Sequence, residues 1–175
     1  MMNLKSIPEL HTERMLLRGI EEQDASDIVR WRGDPEVYRF FKSPHHITRE
    51  AHLNWYHHQY LSNPNRLDWM GTLAEDGRKI GVFGLAMNGD AAEVSYLLAP
   101  DAQHRGYAAE AVKELIRFAF SGGIRQVTAE IHRENKASLK LANRLGLHLL
   151  KSEGDFLICG IEEESDCDID QSGRE

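Results

Sequence analysis

The sequence has few cysteines and no long apolar run. Only Cys159 and Cys167 are present, and neither belongs to a CxxC pair or a cluster of ligand residues. This argues against a disulfide framework or a zinc knuckle, and Cys159, in an apolar stretch, is expected to be buried. No apolar segment approaches the roughly 20 residues that cross a bilayer. Residues 1–5 lack the apolar core of a signal peptide, so we expect a cytoplasmic protein with no membrane partner.

Positive charge is also scarce. The net charge is −7, and residues 162–175 contribute −6 of it through seven acidic residues and one arginine. The remaining body, at −1, is nearly neutral, which argues against nucleic-acid binding because that requires a basic face. The C-terminal segment is poor in apolar residues and dense in like charge, a composition typical of disorder. We therefore predict one domain over residues 1–161, followed by an acidic, disordered tail over residues 162–175.

The spacing of apolar residues predicts a mixed α/β domain. Strands are predicted where apolar and polar residues alternate, and helices where apolar residues recur every three or four positions. Thr48 and Asn135 are predicted helix N-caps, and Gly122-Gly123 ends the strongest helix. The predicted strands are 12–18, 67–74, 79–87, 92–98, 127–132, about 147–151 and 156–161. The predicted helices are 24–31, a short one from Pro35, 48–61, 108–120 and 135–146. This order predicts helices covering a central sheet.

The loop between the predicted strand 92–98 and the helix that follows it carries the most specific signal. A helix start presents unpaired backbone N–H groups and a partial positive charge, which together bind phosphate. Gly106 allows close approach of a ligand, Arg105 adds a cation, and Ala108 and Ala109 keep the first turn slim. The loop therefore predicts a diphosphate ligand. On these residues alone, a plain strand-to-helix connection with a convenient glycine stays open.

Four segments, in the same order along the chain, resemble the GNAT acetyltransferases. Gln103-x-x-Gly106-x-Ala108 resembles their acetyl-CoA pyrophosphate motif, Q/R-x-x-G-x-G/A. TERMLLR at 12–18 and DPEV at 34–37 resemble the "TERLLLR" and "DPEV" segments of RimJ/RimL-type members. Asn135-x-x-Ser138-x-x-Leu141, followed by Gly146, resembles the segment after their fifth strand. The resemblance covers about residues 11–161, and four ordered matches are more specific than one.

The resemblance implies the GNAT fold, a mixed central sheet with splayed fourth and fifth strands, flanked by helices. It also implies acetyl-CoA as cosubstrate, with its pantetheine arm in the gap between those strands. Asn135 and Ser138 would contact the cofactor arm, although Asn135 equally fits an N-cap. The residues implied to bind pantetheine through their backbone are Leu97, Leu98 and Ala99. Those implied to hold the pyrophosphate are Gln103, His104, Arg105, Gly106, Tyr107, Ala108 and Ala109.

Family chemistry is direct attack of an amine on the acetyl carbonyl, which requires a base to remove a proton from the ammonium form. Glu130 resembles the base of RimI-type members by its place five residues before Asn135, and Glu93 resembles that of histone-type members. Either also fits a salt-bridged carboxylate on a strand face. Ala142 occupies the position of the tyrosine acid found in many members. Ser138 matches the serine of some RimL-type enzymes, but also fits a first-turn serine bonded to a helix N–H.

The resemblance also implies that the first two helices and nearby loops form the acceptor pocket. The predicted substrate-binding residues are Trp31, Arg32, Tyr38, His52, Trp55 and Tyr56. Five of nine histidines fall between positions 45 and 58, but no HExxH or acid-plus-histidine set accompanies them, so no metal site is predicted. The region around Trp31-Arg32, His52-x-x-Trp55 and Asn63-Pro64-Asn65 resembles the pseudaminic-acid-pathway amino-sugar acetyltransferases.

Several functions stay open from the sequence. A small-molecule or amino-sugar amine is slightly favoured as the acceptor over a protein N-terminus, the acceptor of the RimJ/RimL type. The other alternative is a non-catalytic acyl-CoA-binding module, which Ala142 favours and which the retained Glu93, Glu130 and Ser138 argue against. A homodimer also stays open.

Overall fold

Eight strands form one mixed sheet, and five α-helices accompany it in the described part of the chain. The computed structural model describes residues 5–164. The strands are β1 (Leu10–His11), β2 (Met15–Gly19), β3 (Arg66–Leu73), β4 (Lys79–Asn88), β5 (Ala91–Leu98), β6 (Gln126–His132), β7 (His148–Glu153) and β8 (Phe156–Glu162). The helices are α1 (Ala25–Arg32), α2 (Pro35–Tyr38), α3 (Arg49–Trp55), α4 (Tyr107–Ser121) and α5 (Lys136–Arg144).

The sheet order is β1-β2-β3-β4-β5-β6-β8-β7, and neighbouring strands are antiparallel except for β5 and β6. Those two strands run parallel and pair only from Ala91↔Gln126 to Glu93↔Thr128. Beyond that point β5 continues to Leu98 and β6 to His132 without pairing to each other, so the sheet opens. The predicted mixed α/β fold with a splayed strand pair is confirmed.

Helix α4 covers the middle of the sheet because its apolar residues form one stripe. The stripe is buried and consists of Ala108, Ala111, Val112, Leu115, Ile116 and Ala119. Helices α1 and α3 pack together and α1 also contacts β5, while α5 contacts β6. Fully buried Leu17, Trp69, Phe83 and Val127 form the centre of the core. Cys159 is a buried free thiol, as expected.

Two elements differ from the sequence prediction. The chain forms the two-residue strand β1, which pairs with Leu16 and Leu17 of β2 and is too short to show any periodicity. The helix predicted over 48–61 begins at its Thr48 cap, whose hydroxyl accepts from the Ala51 N–H, but α3 gives way to a π-helical turn at Tyr56–Tyr60. A π turn inserts one residue into a helix and leaves little trace in apolar spacing.

The predicted boundary at residue 161 falls inside a strand. Strand β8 includes Glu162, and the Glu163 N–H donates to the Arg125 carbonyl at 2.9 Å. The greater part of the predicted tail, residues 165–175, lies outside the described residues. Within residues 5–164, no helix is long and apolar enough to cross a membrane.

Candidate active site

The opening between β5 and β6 is the centre of the candidate site. It belongs to a cavity of about 570 Å³ whose wall is formed by β5, the start of α4, β6 and α5. The cavity wall includes most of the residues predicted to act in catalysis or in cofactor binding. They are Glu93, Leu97, Leu98, Gln103, His104, Gly106, Ala108, Ala109, Glu130, Asn135 and Ser138. Arg105, Tyr107 and Ala99 are not part of this wall.

The start of α4 faces this cavity with unpaired backbone amides. Gly106, the residue before the helix, has φ +82°, a left-handed conformation that a side chain disfavours, and no side chain caps the helix. The first intrahelical bond runs from the Glu110 N–H to the Gly106 carbonyl (3.1 Å). Among residues 5–164, no acceptor bonds the amides of Tyr107, Ala108 or Ala109. These amides suit an anionic ligand such as a diphosphate.

Arg14, which the sequence did not single out, holds this loop in place. Its Nη1 donates to the Arg105 carbonyl (3.0 Å), and its guanidinium lies 4.5 Å from the centre of the Tyr107 ring. Glu110, in the first turn of α4, accepts hydrogen bonds from the Thr12 hydroxyl (2.6 Å) and from the Arg14 Nε (2.7 Å). These bonds attach the loop and the helix start to the edge of the sheet.

The backbone of β5 corrects one expectation about pantetheine binding. The Ala99 N–H donates to the Ile80 carbonyl (2.8 Å), and the Ala99 carbonyl accepts from the Ala102 N–H (2.9 Å). In an antiparallel ladder, alternate residues direct their N–H and C=O toward the partner strand. The backbone N–H and C=O of Leu97, two residues before Ala99, therefore also point to β4. Those of Leu98 point the opposite way, into the gap. Of the three residues expected to bind pantetheine through their backbone, only Leu98 therefore directs these groups into the gap.

On the opposite side of the gap, α5 begins at Asn135. Its side-chain oxygen accepts from the Ser138 N–H (3.2 Å), so the predicted N-cap is confirmed. The Ser138 hydroxyl shares a hydrogen bond of 2.6 Å with the hydroxyl of Tyr96, which comes from β5, and either oxygen can donate. Burial raises the pKa of Tyr96, so this phenol stays protonated at neutral pH. Ala142 is buried and contributes no polar group.

Both predicted carboxylates frame the opening. Glu93 pairs with Thr128 at the last parallel position, and alternation places Glu130, two residues further along β6, on the same face of the sheet. The Glu130 Oε1 lies 2.7 Å from the Nζ of Lys42. Interaction with Glu130 raises the pKa of Lys42. Glu93 is exposed, whereas Glu130 is half-buried.

A second cavity, of about 470 Å³, lies on that face of the sheet between α1, α3 and strands β3 to β5. We call it the acceptor cavity. It shares Phe41, Ser95, Tyr96 and Leu97 with the first cavity, so the two meet beside the gap. Its other lining residues are Ile20, Ile28, Arg32, His45, Ile47, Ala51, His52, Trp55, Arg66, Asp68, Val82 and Gly84.

Three of the six predicted substrate-binding residues line the acceptor cavity, namely Arg32, His52 and Trp55. Trp31 and Tyr56 are instead buried in the core, and Tyr38 borders neither cavity. Trp31 and Tyr56 follow the helical spacing of an apolar stripe that faces the core, which explains their burial. The sequence prediction missed Arg66 and Asp68, although a charged pair at alternate positions of an apolar strand is a signal for a buried ion pair.

Arg66 and Asp68 satisfy each other in the wall of the acceptor cavity. The Arg66 Nη2 lies 2.9 Å from Asp68 Oδ1, and its Nε donates to both carboxylate oxygens at 3.0 Å. A Cβ at Gly84 would clash with Asp68 Oδ1, so only glycine leaves room for the pair. His52 is buried, and burial together with nearby Arg32 lowers its pKa. His52 is therefore neutral at pH 7.

The histidines between 45 and 58 do not converge. His45 and His46 are exposed, and the Nε2 of His57 lies 3.3 Å from a carboxylate oxygen of Glu22. Across residues 5–164, no three His, Cys, Asp or Glu side chains lie close enough together to hold a metal ion.

Comparisons with known proteins agree with this geometry. Residues 14–148 match the family model described as an acetyltransferase (GNAT) domain. The chain is 31% identical over 143 residues to the uncharacterized N-acetyltransferase p20 of Bacillus licheniformis, covering 78% of this chain and 80% of that protein. It is 28% identical to protein MJ1062 of Methanocaldococcus jannaschii over 85% of this chain, but spans only 31% of that protein.

A solved structure has the same fold. The spermidine N-acetyltransferase from Vibrio cholerae, in complex with CoA and spermine, superimposes with a TM-score of 0.74 at 18% sequence identity. The match covers 85% of this chain and 95% of that one.

Proposed function

The chain belongs to the GNAT acetyltransferase family, and on that premise we propose that it acetylates the primary amine of a small molecule. The family consists of acyltransferases with acetyl-CoA as cosubstrate, which makes the chain an enzyme rather than a non-catalytic acyl-CoA-binding module. The observation that carries the proposal is the acceptor cavity, which meets the cofactor-sized cavity at the gap between β5 and β6. Its volume is in the range of small-molecule sites.

The start of α4 would hold the diphosphate of acetyl-CoA. Its amides from Gly106 to Ala109 are unpaired among residues 5–164, and the helix dipole favours negative charge there. The N–H and C=O groups of Leu98 would bind the pantetheine arm inside the gap, where β6 no longer pairs with β5. When bound, acetyl-CoA supplies an activated acetyl thioester at the open end of the gap.

Glu130 would act as the base that accepts a proton from the incoming ammonium group. A base must lie within hydrogen-bond reach of the amine, directly or through one water. Glu130 lies on the face of the sheet that borders the acceptor cavity and is half-buried beside the gap. Lys42, on the exposed side, forms an ion pair with it, but the geometry is not that of a hydrogen bond, and the buried Oε1 has no hydrogen-bond partner among residues 5–164. Glu93 is more exposed and is assigned a supporting electrostatic role.

The hydroxyl pair of Ser138 and Tyr96 would donate a proton to the departing thiolate. Both hydroxyls border the cavity and share one hydrogen bond, so one of the two protons stays available for the sulfur. Tyr96 thereby replaces the tyrosine that many family members carry at the position of Ala142. Its raised pKa keeps the proton in place until the thiolate forms.

Release of free thiol from acetyl-CoA over a panel of amines tests the proposal. Glu130→Gln is expected to lower kcat about 100-fold, the scale of a lost general base, while the Kd for acetyl-CoA stays unchanged. Glu134→Gln, in the exposed loop after β6, is the matched control and should behave as wild type. Wild-type turnover by Glu130→Gln would assign the base role elsewhere, and turnover only with peptide N-termini would replace the small-molecule acceptor.

A further inference from the structure

Arg32, at the end of α1, brings a positive charge into the acceptor cavity without a partner. Its Nε is buried and has no hydrogen bond, and no residue between 5 and 164 forms an ion pair or a hydrogen bond with its guanidinium. Arginine stays protonated at neutral pH. The side chain is half-buried, and partial burial together with the nearby Arg66 lowers the pKa of Arg32. An anion at this point would offset both effects.

The acidic groups around the cavity are already engaged elsewhere. Asp68 is paired with Arg66. Asp24, behind the cavity, accepts two hydrogen bonds from Arg18 (2.8 and 2.9 Å) and pairs with Lys79 at 2.8 Å. Both carboxylates are fully buried in these pairs. Since His52 is neutral, the cavity wall keeps one net positive charge, and that charge belongs to Arg32.

The remaining walls are mainly apolar. The ring of Phe41 lies 5.5 Å from the Arg32 Cζ, and Trp55 packs its ring against His52 at a centroid distance of 5.4 Å. Ile47, Val82 and other aliphatic side chains complete the lining. An occupant that satisfies these walls combines an apolar or ring-containing body with one negatively charged group.

We propose that the acceptor is an amine that also carries an anionic group, a carboxylate or a phosphate, and that Arg32 binds this group. This inference rests on the proposed function and names the substrate class of the same site. The planar guanidinium offers two parallel N–H donors to either oxyanion. The anionic group would lie near the end of α1, and the amine would point toward the gap between β5 and β6. Purely cationic polyamines leave Arg32 unpaired and are poor acceptors in this arrangement.

Matched pairs of amines test the preference. Thiol release is measured at saturating acetyl-CoA for phenylethylamine against phenylalanine, for glucosamine against glucosamine 6-phosphate, and for spermidine. At least one anionic member is expected to show a kcat/KM about 10- to 100-fold above that of its neutral counterpart, the scale of hydrogen bonds to a charged group. The carboxylate pair and the phosphate pair separate the two sources of negative charge.

Arg32 variants assign the preference to this residue. Arg32→Gln should reduce the advantage of the anionic amine to about unity, while Arg32→Lys, which keeps the charge but loses the planar fork, should retain part of it. Arg30→Gln is the matched control, because Arg30 lies on the exposed side of α1 and, within residues 5–164, pairs with Asp27 alone at 2.9 Å. An equal anion preference in wild type and Arg32→Gln would overturn the inference.

The titration of His52 provides a readout that does not depend on turnover. Burial and the charge of Arg32 lower the pKa of His52, while Asp24 acts in the opposite direction. Acetate or inorganic phosphate bound at Arg32 cancels its charge, so the NMR-measured pKa of His52 should rise with anion concentration in wild type but not in Arg32→Gln. The absence of such a rise with either anion would overturn the inference.

The acetyltransferase activity and the anion site at Arg32 can be lost separately. If the protein acetylates amines with no preference for anionic ones, and the pKa of His52 does not respond to anions, the proposed function stands and the role of Arg32 is refuted. If no amine is turned over but anions raise the pKa of His52 in an Arg32-dependent way, the proposed function is refuted and the anion site at Arg32 stands.

Discussion

At the scale of single residues, Asp24 is a fully buried carboxylate that stabilises the fold through two cationic partners. Burial alone would raise its pKa, but hydrogen bonds from Arg18 and Lys79 outweigh that effect, and the pKa lies below its ordinary value. A carboxyl with a lowered folded pKa adds stability above its unfolded pKa, near 3.9, and loses it as the pH falls through the folded value. The charges at this position connect β2, α1 and β4 behind the acceptor cavity.

Replacement of Asp24 tests this contribution. Asp24→Asn leaves Arg18 and Lys79 without their buried counterion and should lower the free energy of unfolding at pH 7 by about 3 kcal/mol. The deficit relative to wild type, measured by urea denaturation, should shrink as the pH falls below about 4. Asp101→Asn removes an exposed partner of Arg78 and serves as control, with an expected loss of about 0–1 kcal/mol. Equal losses for the two variants would refute the role of Asp24.

At the scale of elements, the β1–β2 turn and the start of α4 form one unit. Glu110 accepts from Thr12 and Arg14, and its pKa is lowered because these hydrogen bonds outweigh the effect of burial. Arg14 also fixes the Arg105 carbonyl, so its guanidinium joins the loop on both sides of Gly106. Arg14 is more than 90 residues away in sequence from Arg105 and Glu110, and contacts over such a separation leave no local pattern. This is why the sequence indicated the loop but not the arginine that positions it.

Loss of Arg14 should therefore affect cofactor binding more than folding. Arg14→Gln removes the side-chain bonds to Arg105 and Glu110 but keeps the bond from its backbone N–H to Glu110. The Kd for acetyl-CoA, measured by calorimetry, should rise about tenfold, the scale of one charged hydrogen bond. The exposed side chain limits the loss in unfolding free energy to about 1 kcal/mol. Glu13→Gln, at the neighbouring exposed position, should leave the Kd unchanged. A wild-type Kd for Arg14→Gln would mean that the loop holds its shape without this contact.

At the scale of the whole molecule, periodicity and caps were sufficient for the mixed α/β class and most of its helices and strands. The splayed strand pair was expected only from the resemblance to the GNAT acetyltransferases, and long-range contacts were not predictable. The helix predicted over 108–120 is observed at Tyr107–Ser121, and Thr48 and Asn135 act as the expected caps. The aromatic residues of α1 and α3 were ambiguous, because spacing alone does not tell a core position such as Trp31 from a cavity position such as Trp55. The hydrogen bond from Tyr96 to Ser138 and the pair of Arg66 with Asp68 depend on how distant elements meet.

The central claim is that the start of α4 binds the diphosphate. The most direct test is the Kd for acetyl-CoA, measured for the variants Gly106→Glu and Gly89→Glu. Both glycines have positive φ, +82° and +64°, so both variants carry similar backbone strain, but Gly89 lies in the β4–β5 turn with open space around it. We predict that Gly106→Glu loses about 100-fold or more in affinity, because a carboxylate there repels the diphosphate, while Gly89→Glu binds as wild type. Equal affinities for the two folded variants would contradict the account.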